Sequence, residues 1–116
     1  MKVAILISGK GSNLKAILDA IQLGHLQIIV TCVISNKPNN IATWIQYSIQ
    51  KNIDTFEIIW NKSVISKREY YDQLLVDKLN EEKYKTDLVV LEGWMHIMKD
   101  VFINAFPNTI NLHPAL

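Results

Sequence analysis

An asparagine and a histidine two residues apart, Asn111 and His113, could act together on one reacting atom. In a β-strand, residues two apart point to the same side. An asparagine side-chain N–H can stabilise an oxyanion, and a histidine can donate a proton or take one from an attacking amine. The pair therefore suits acyl transfer. Alone, an Asn-x-His pair is more often a structural hydrogen-bonding pair, but its predicted place beside a glycine-containing loop reverses that preference.

That loop runs from Gly9 to Asn13 and follows the apolar run Val3 to Ile7. A strand that ends in Ser-Gly-x-Gly-Ser-Asn directs backbone N–H groups and a helix N-terminus at one point, where the helix dipole favours an anion. Leu14 stands where a dinucleotide fingerprint has its third glycine, no acidic residue ends the second strand, and P-loop spacing is absent. The loop predicts a site for one phosphomonoester; the alternative is that its glycines only make a tight turn.

Five apolar runs of strand length position these motifs. They are Val3 to Ile7, Gln27 to Ile34, Ile53 to Ile58, Asp87 to Leu91 and Thr109 to Leu112. Helical spacing of apolar residues predicts helices from Ser12 to a stop at Gly24, over Ile41 to Ile49, from a capping box at Ser66 to about Lys83, and over Lys99 to Ala105.

Strands alternating with helices predict an α/β fold with a doubly wound, mostly parallel, Rossmann-like sheet of strand order 3-2-1-4-5. In such sheets ligands bind outside the carboxyl ends of the strands, at the point where the strand order reverses. We therefore expect the loops after Ile7, Leu91 and Leu112 to line one cleft.

Composition narrows the function classes. The 116 residues are 49% hydrophobic and 20% charged, which predicts one globular domain over 1–116. The formal net charge of +1 gives no basis for binding nucleic acid or a membrane surface. One cysteine, Cys32 in an apolar run, is expected to be a buried, inert thiol in a reducing compartment, and we expect a cytoplasmic protein. His25, His96 and His113 are dispersed, so no metal site is expected.

Five stretches, spread in order along the chain, together resemble the phosphoribosylglycinamide formyltransferase family of purine biosynthesis. They are Leu6 to Leu14, Ser35-Asn36-Lys37, Arg68-Glu69-x-Tyr71-Asp72, Val90 to Met95 and Asn111 to Pro114. The resemblance implies transfer of a formyl group to the primary amine of glycinamide ribonucleotide, with 10-formyltetrahydrofolate as co-substrate.

The resemblance also implies roles for individual residues. The phosphate of the ribonucleotide would be bound by Gly11, Ser12 and Asn13. The folate would be bound by Arg68, Met95, His96, Ile97, Met98 and Asn111, with Arg68 on its acidic tail and residues 95–98 around the pterin, largely through backbone groups. Asn111 and His113 would be catalytic.

The chain departs from the family pattern at Glu92, where a small residue is usual, and at His96, where an arginine is usual. The family continues past the position of Leu116 with a second half that carries an essential aspartate. The chain is accordingly expected to be C-terminally truncated relative to the family, with weaker catalysis. The exposed edge of the fifth strand is then a candidate surface for self-association or for a partner chain.

Two other functions stay open on the sequence. One is a non-catalytic phosphate- or nucleotide-binding module. The other is a related folate-dependent formyltransferase or hydrolase with another acceptor, against which the Gly-Lys-Gly-Ser-Asn loop argues.

Overall fold

Five parallel strands form one sheet, with helices packed on both of its faces. The structure is a computed structural model that describes residues 1–8, 12–37, 52–59, 68–94 and 98–112, without the side chains of residues 12, 13, 68 and 69. The strands are β1 (Lys2–Ile7), β2 (Ile29–Ser35), β3 (Asp54–Glu57), β4 (Leu88–Glu92) and β5 (Thr109–Leu112). Their order is β3-β2-β1-β4-β5 and every described pairing is parallel, which confirms the predicted fold.

Three helices are described: α1 (Ser12–Gln22), α2 (Arg68–Leu79) and α3 (Asp100–Ala105). The helix predicted over Ile41 to Ile49 and the capping serine Ser66 lie outside the described residues. No helix in the described parts of the chain is long and apolar enough to cross a membrane.

The central strand β1 is buried on both faces, as its unbroken apolar run predicted. Val3, Ile5 and Ile7 pack in one core cluster with Leu14 and Leu18 of α1. The alternate residues of β1 pack in a second cluster with residues of α2 and α3. The two clusters, one on each face, are what makes the sheet doubly wound.

Helix α1 ends at Gln22, and Gly24 makes the turn that stops it, as the sequence predicted. The Gly24 N–H donates to the Ile21 carbonyl at 3.0 Å, and the His25 N–H donates to the Ala20 carbonyl at 2.8 Å, which is the pair of bonds of a Schellman motif. Gly24 adopts φ +80°, a conformation that costs glycine little. His25 lies exposed in this turn, as predicted.

Two predicted boundaries were wrong by two residues or more, and in both cases a tertiary contact lies at the observed boundary. β2 begins at Ile29 rather than Gln27, and the Ile29 N–H pairs with the carbonyl of Met1 at 2.9 Å. α2 ends at Leu79 rather than near Lys83, because the chain turns to bury Tyr84 edge-on against Phe56 with ring centroids 5.8 Å apart.

Cys32 is buried in the cluster under α2, which confirms the expected buried thiol. Burial raises its pKa to about 11. The thiol is therefore protonated at neutral pH and is a poor nucleophile.

Asp54, at the start of β3, accepts hydrogen bonds from Lys83 at 2.7 Å and from the Tyr84 hydroxyl at 2.8 Å. These bonds, that from Lys83 foremost, hold the pKa of Asp54 below its ordinary value. Because the folded-state pKa is the lower one, the stabilisation is complete above about pH 4 and is lost as pH falls below that value.

We expect Asp54→Asn to lower the urea midpoint at pH 7 and to have a smaller effect at about pH 2, because the stabilisation by the ionised carboxylate falls as pH drops below the ordinary pKa of an aspartate. Tyr84→Phe removes one of the two donors and is expected to retain part of the pH dependence. Urea denaturation of the three proteins at both pH values measures this. An Asp54→Asn effect of equal size at both pH values would contradict it.

Candidate active site

The register of the sheet brings the carboxyl ends of three strands side by side. Ile7, the last residue of β1, pairs with Glu92, the last residue of β4. Glu92 in turn pairs with Leu112, the last residue of β5. The three loops that were predicted to line one cleft therefore leave the sheet at the same level, at the reversal of strand order between β1 and β4.

Helix α2 also begins at the carboxyl ends of the strands. The hydroxyl of Tyr71, in its first turn, donates to the carbonyl of Ile58, which directly follows the end of β3. Beyond the other end of α2, Tyr84 bonds to Asp54 at the start of β3. α2 thus runs antiparallel to β3, and its first residue, Arg68, lies near the carboxyl ends of the strands.

Five predicted site residues lie in the described parts of the chain, all near the carboxyl ends of the strands. They are Ser12 and Asn13 at the start of α1, Arg68 at the start of α2, Met98 before α3 and Asn111 in β5. Met98 is partly buried and packs on the core cluster that includes Leu91 and Phe102. Gly11, Met95, His96, Ile97 and His113 lie outside the described residues.

Asn111 is exposed and pairs in register with Leu91, whose side chain belongs to the cluster under α2 and α3. In-register residues of neighbouring strands share a face, so Asn111 lies on the same side of the sheet. A polar amide in an edge strand, exposed where three strands end, is accessible to a ligand that binds at the carboxyl ends of these strands.

Glu92 lies on the other face. Its in-register neighbours are Ile7 and Leu112, which pack in the cluster with α1. Its side chain is 7% exposed, and β4 extends through it, one residue further than predicted. The sequence placed this carboxylate at the start of a loop, whereas the structure buries it between strand ends on the α1 side, away from Asn111.

Two neighbouring residues of α2 bind the chain on either side of residues 95–98. The rings of Tyr71 and Trp94 lie 6.5 Å apart, and Trp94 is buried. The carboxylate of Asp72, itself fully buried, accepts the backbone N–H of Lys99 at 2.5 Å. One helix therefore holds both flanks of the segment that the sequence assigned to a pterin pocket.

The family model described as formyl transferase matches residues 1–116, the whole chain. The chain belongs to the formyl transferase family. It is 36% identical over 117 residues to phosphoribosylglycinamide formyltransferase of Escherichia coli (strain K12), an alignment that covers 100% of this chain and 52% of the relative. The enzyme of the same name from Dictyostelium discoideum is 34% identical over 122 residues, covering 98% and 59%.

Solved structures agree with this membership. Glycinamide ribonucleotide transformylase 1 from Symbiobacterium toebii superposes with a TM-score of 0.83 at 31% identity, over 98% of this chain and 51% of that one. The chain spans about half the length of the curated relatives it matches.

The sequence analysis assigned no role to Asp72. Its motif, Arg68-Glu69-x-Tyr71-Asp72, was noticed as a whole, but no role was assigned to the aspartate. A usable signal was present: Asp72 lies within the apolar stripe of α2, between the buried Tyr71 and Leu75. A carboxylate at such a position requires a hydrogen-bond donor.

The described residues hold no group of three or more His, Cys, Asp or Glu that could bind a metal ion. A cavity of about 310 Å³ lies at the amino ends of the strands, near Asp87, Pro107 and Asn108. None of the predicted site residues lines this cavity, so we do not assign the active site to it.

Proposed function

We propose that this chain supplies the ribonucleotide-binding and folate-binding parts, and the catalytic Asn-x-His pair, of an enzyme that transfers a formyl group from 10-formyltetrahydrofolate to the amine of glycinamide ribonucleotide in purine biosynthesis. The observation that carries the proposal is the register that brings the ends of β1, β4 and β5 together, with Asn111 exposed among them. The names of the relatives supply the reaction.

In the proposed reaction the amine attacks the formyl carbon and the carbonyl oxygen becomes an oxyanion. The side-chain N–H of Asn111 and the protonated imidazole of His113 stabilise that oxyanion. The attacking amine gives up a proton, and when the tetrahedral intermediate collapses the bond to the folate nitrogen breaks and that nitrogen takes a proton. The products are the formylated amine and tetrahydrofolate.

The phosphate of the ribonucleotide is assigned to Gly11, Ser12 and Asn13. Helix α1 supports this assignment because its 11 residues give a developed dipole and its first turn carries no acidic side chain to repel an anion. One short loop and one helix end match a phosphomonoester better than a diphosphate.

The folate is assigned to the other side of the cleft. Arg68, at the start of α2, would bind the acidic tail through charge-assisted hydrogen bonds, and residues 95–98 would enclose the pterin. Asn111 would contact the folate as well as the reacting formyl group, as its exposed place on β5 permits.

The substrate class, the partners and the location of the protein follow from the same assignment. We infer small-molecule substrates, no nucleic acid or membrane partner, and a cytoplasmic location, which the near-neutral net charge and the buried thiol of Cys32 support. β5 forms one edge of the described sheet and its Ile110 is 48% exposed, which supports a contact there with a second copy or another chain.

Formyl transfer between the two named substrates, followed by mass spectrometry of the products, tests the proposal. We expect Asn13→Ala to raise the KM for the ribonucleotide by at least about tenfold and to leave the KM for the folate unchanged, since a phosphate contact is lost. Lys15→Ala is the matched control, because Lys15 lies on the same helix and pairs with Asp19 at 2.8 Å on the surface. A wild-type protein that binds the ribonucleotide but neither binds folate nor forms product would instead identify a phosphate-binding module.

A further inference from the structure

We propose that Glu92 determines specificity for the sugar of the ribonucleotide: its buried carboxylate accepts hydrogen bonds from the two ribose hydroxyls. The proposal rests on the proposed function, because it takes the acceptor to be a ribonucleotide whose phosphate lies at the start of α1. The proposed reaction gives this side chain no other role. Glu92, its in-register neighbours and the backbone of α1 all belong to the described parts of the chain.

The buried polar side chains of the described residues gather at one end of the sheet. Four of the five follow or end a strand at its carboxyl end, namely Ser8, Ser35, Asn36 and Glu92, whereas Asp72 lies in α2. Burying a polar group costs free energy unless hydrogen bonds compensate for it. Doubly wound sheets bind ligands outside the carboxyl ends of their strands. The concentration of buried polar groups there indicates a polar binding surface.

The register of the sheet places Glu92 beside the point where the chain leaves β1 for helix α1. Glu92 pairs with Ile7, the last residue of β1, and Ile7 pairs with Ser35 on its other side. Ile7 packs in the cluster with α1, so these in-register residues share the α1 face. Neighbouring strands lie about 4.8 Å apart, and α1 follows directly after β1 in the chain. The carboxylate of Glu92 therefore lies on the side of the cleft assigned to the ribonucleotide.

The chemistry of the ribonucleotide leaves one group for this carboxylate. The phosphate is negative, so a carboxylate repels it. The amine must reach the formyl carbon beside Asn111, which pairs with Leu91 and lies on the opposite face of the sheet. The ribose joins these two groups and carries two hydroxyl donors. An ionised carboxylate has about four acceptor sites, so Glu92 can bind a diol and still accept a hydrogen bond within the protein.

An acidic side chain that accepts ribose hydroxyls is also the arrangement of dinucleotide-binding folds, where it follows the second strand. In this chain β2 ends in Ser35, and the acidic residue ends β4 instead. The positive end of the α1 dipole favours a negative charge at this end of the sheet. Hydrogen bonds to an ionised acceptor are about twice as strong as those to a neutral one. Loss of both hydroxyls from the ligand should therefore cost much of its affinity.

The test compares Glu92→Ala, Glu92→Gln and Glu57→Ala with the wild-type protein. Calorimetry measures the affinity of each protein for glycinamide ribonucleotide and for its 2′,3′-dideoxy analogue, and the ratio of the two affinities is the readout. Glu57 is the matched control, because it is the last residue of β3, lies at the same end of the sheet and is exposed. Partial loss of folding lowers both affinities and leaves their ratio unchanged.

We expect the wild-type protein to bind the ribonucleotide at least about tenfold more tightly than the dideoxy analogue. Glu92→Ala should reduce this preference to within about twofold. Glu92→Gln is nearly isosteric and keeps a neutral acceptor, so it should reduce a tenfold preference to about threefold. Glu57→Ala should keep the wild-type ratio.

Equal losses of both affinities in Glu92→Ala, with the wild-type ratio retained, would overturn the assignment in favour of a structural role. A wild-type protein with no preference for the hydroxyls would overturn it as well. If Glu92→Ala does not fold, Glu92→Gln decides, and a wild-type ratio in that variant counts against the proposal. If the wild-type protein binds neither compound, the proposed function fails and this inference fails with it, so the wild-type titration separates the two failures.

Discussion

Asn111→Ala is expected to lower kcat/KM for formyl transfer by about 10²- to 10³-fold, the cost of removing one donor to an oxyanion. Asn111 is exposed at the carboxyl end of β5, in register with Leu91, where an amide can address the cleft. Because the donor acts on charge that develops in the transition state, the loss should appear mainly in kcat. Steady-state kinetics with each substrate varied in turn measures it.

Asn108→Ala is the matched control for this experiment. Asn108 is exposed just before the amino end of β5, beside the cavity near Asp87 and Pro107. It should retain wild-type kinetics. Similar rates in Asn111→Ala and wild type, with transfer measurable in both, would remove Asn111 from the mechanism and leave it a structural residue of the edge strand.

Phe102→Ala is expected to lower the free energy of unfolding by about 3–5 kcal/mol. Phe102 is fully buried in the cluster under α2 and contacts Phe106 with ring centroids 5.4 Å apart. Truncation removes apolar contacts and leaves a cavity that the surrounding strands can only partly fill. Against a total stability of about 5–15 kcal/mol for a typical domain, this is a large fraction.

The effect should extend toward the site, because α3 leads directly into β5. The carbonyl of Phe106 at the end of α3 accepts the Thr109 hydroxyl at 2.6 Å, which joins the helix to the first residue of β5. Urea denaturation measures the loss, with Ile103→Ala as control, since Ile103 neighbours Phe102 and is 42% exposed. A loss in Phe102→Ala no larger than in the control would contradict this account of the core.

Much of the fold was predictable because its signals are local. Unbroken apolar runs predicted strands buried on both faces, and β5 was predicted at Thr109–Leu112, the bounds observed. Alternation of strands with helices, joined by right-handed crossovers, predicted the strand order. The glycine at the end of α1 was predictable because a positive φ favours that residue.

Boundaries set by distant contacts were not predictable in the same way. Nothing near Lys83 in the sequence shows that Tyr84 leaves the helical path to bury itself against Phe56. Nothing near Gln27 shows that β2 begins only at Ile29, whose N–H pairs with the carbonyl of Met1. In both cases a partner far away in the chain decides, and local propensity does not contain it.

By itself, the sequence determined the types of the described elements, the order of the strands in the sheet, and the end of the sheet at which Asn111 and the start of α1 lie. Only the tertiary structure decided the register that aligns Ile7, Glu92 and Leu112 side by side. It also decided the burial of Glu92 on the α1 side and the hydrogen bond from the Lys99 N–H to Asp72. The physical reason is that strands and helices arise from periodicity within a segment. Register, face and buried hydrogen bonds arise from packing between segments that are far apart in the chain.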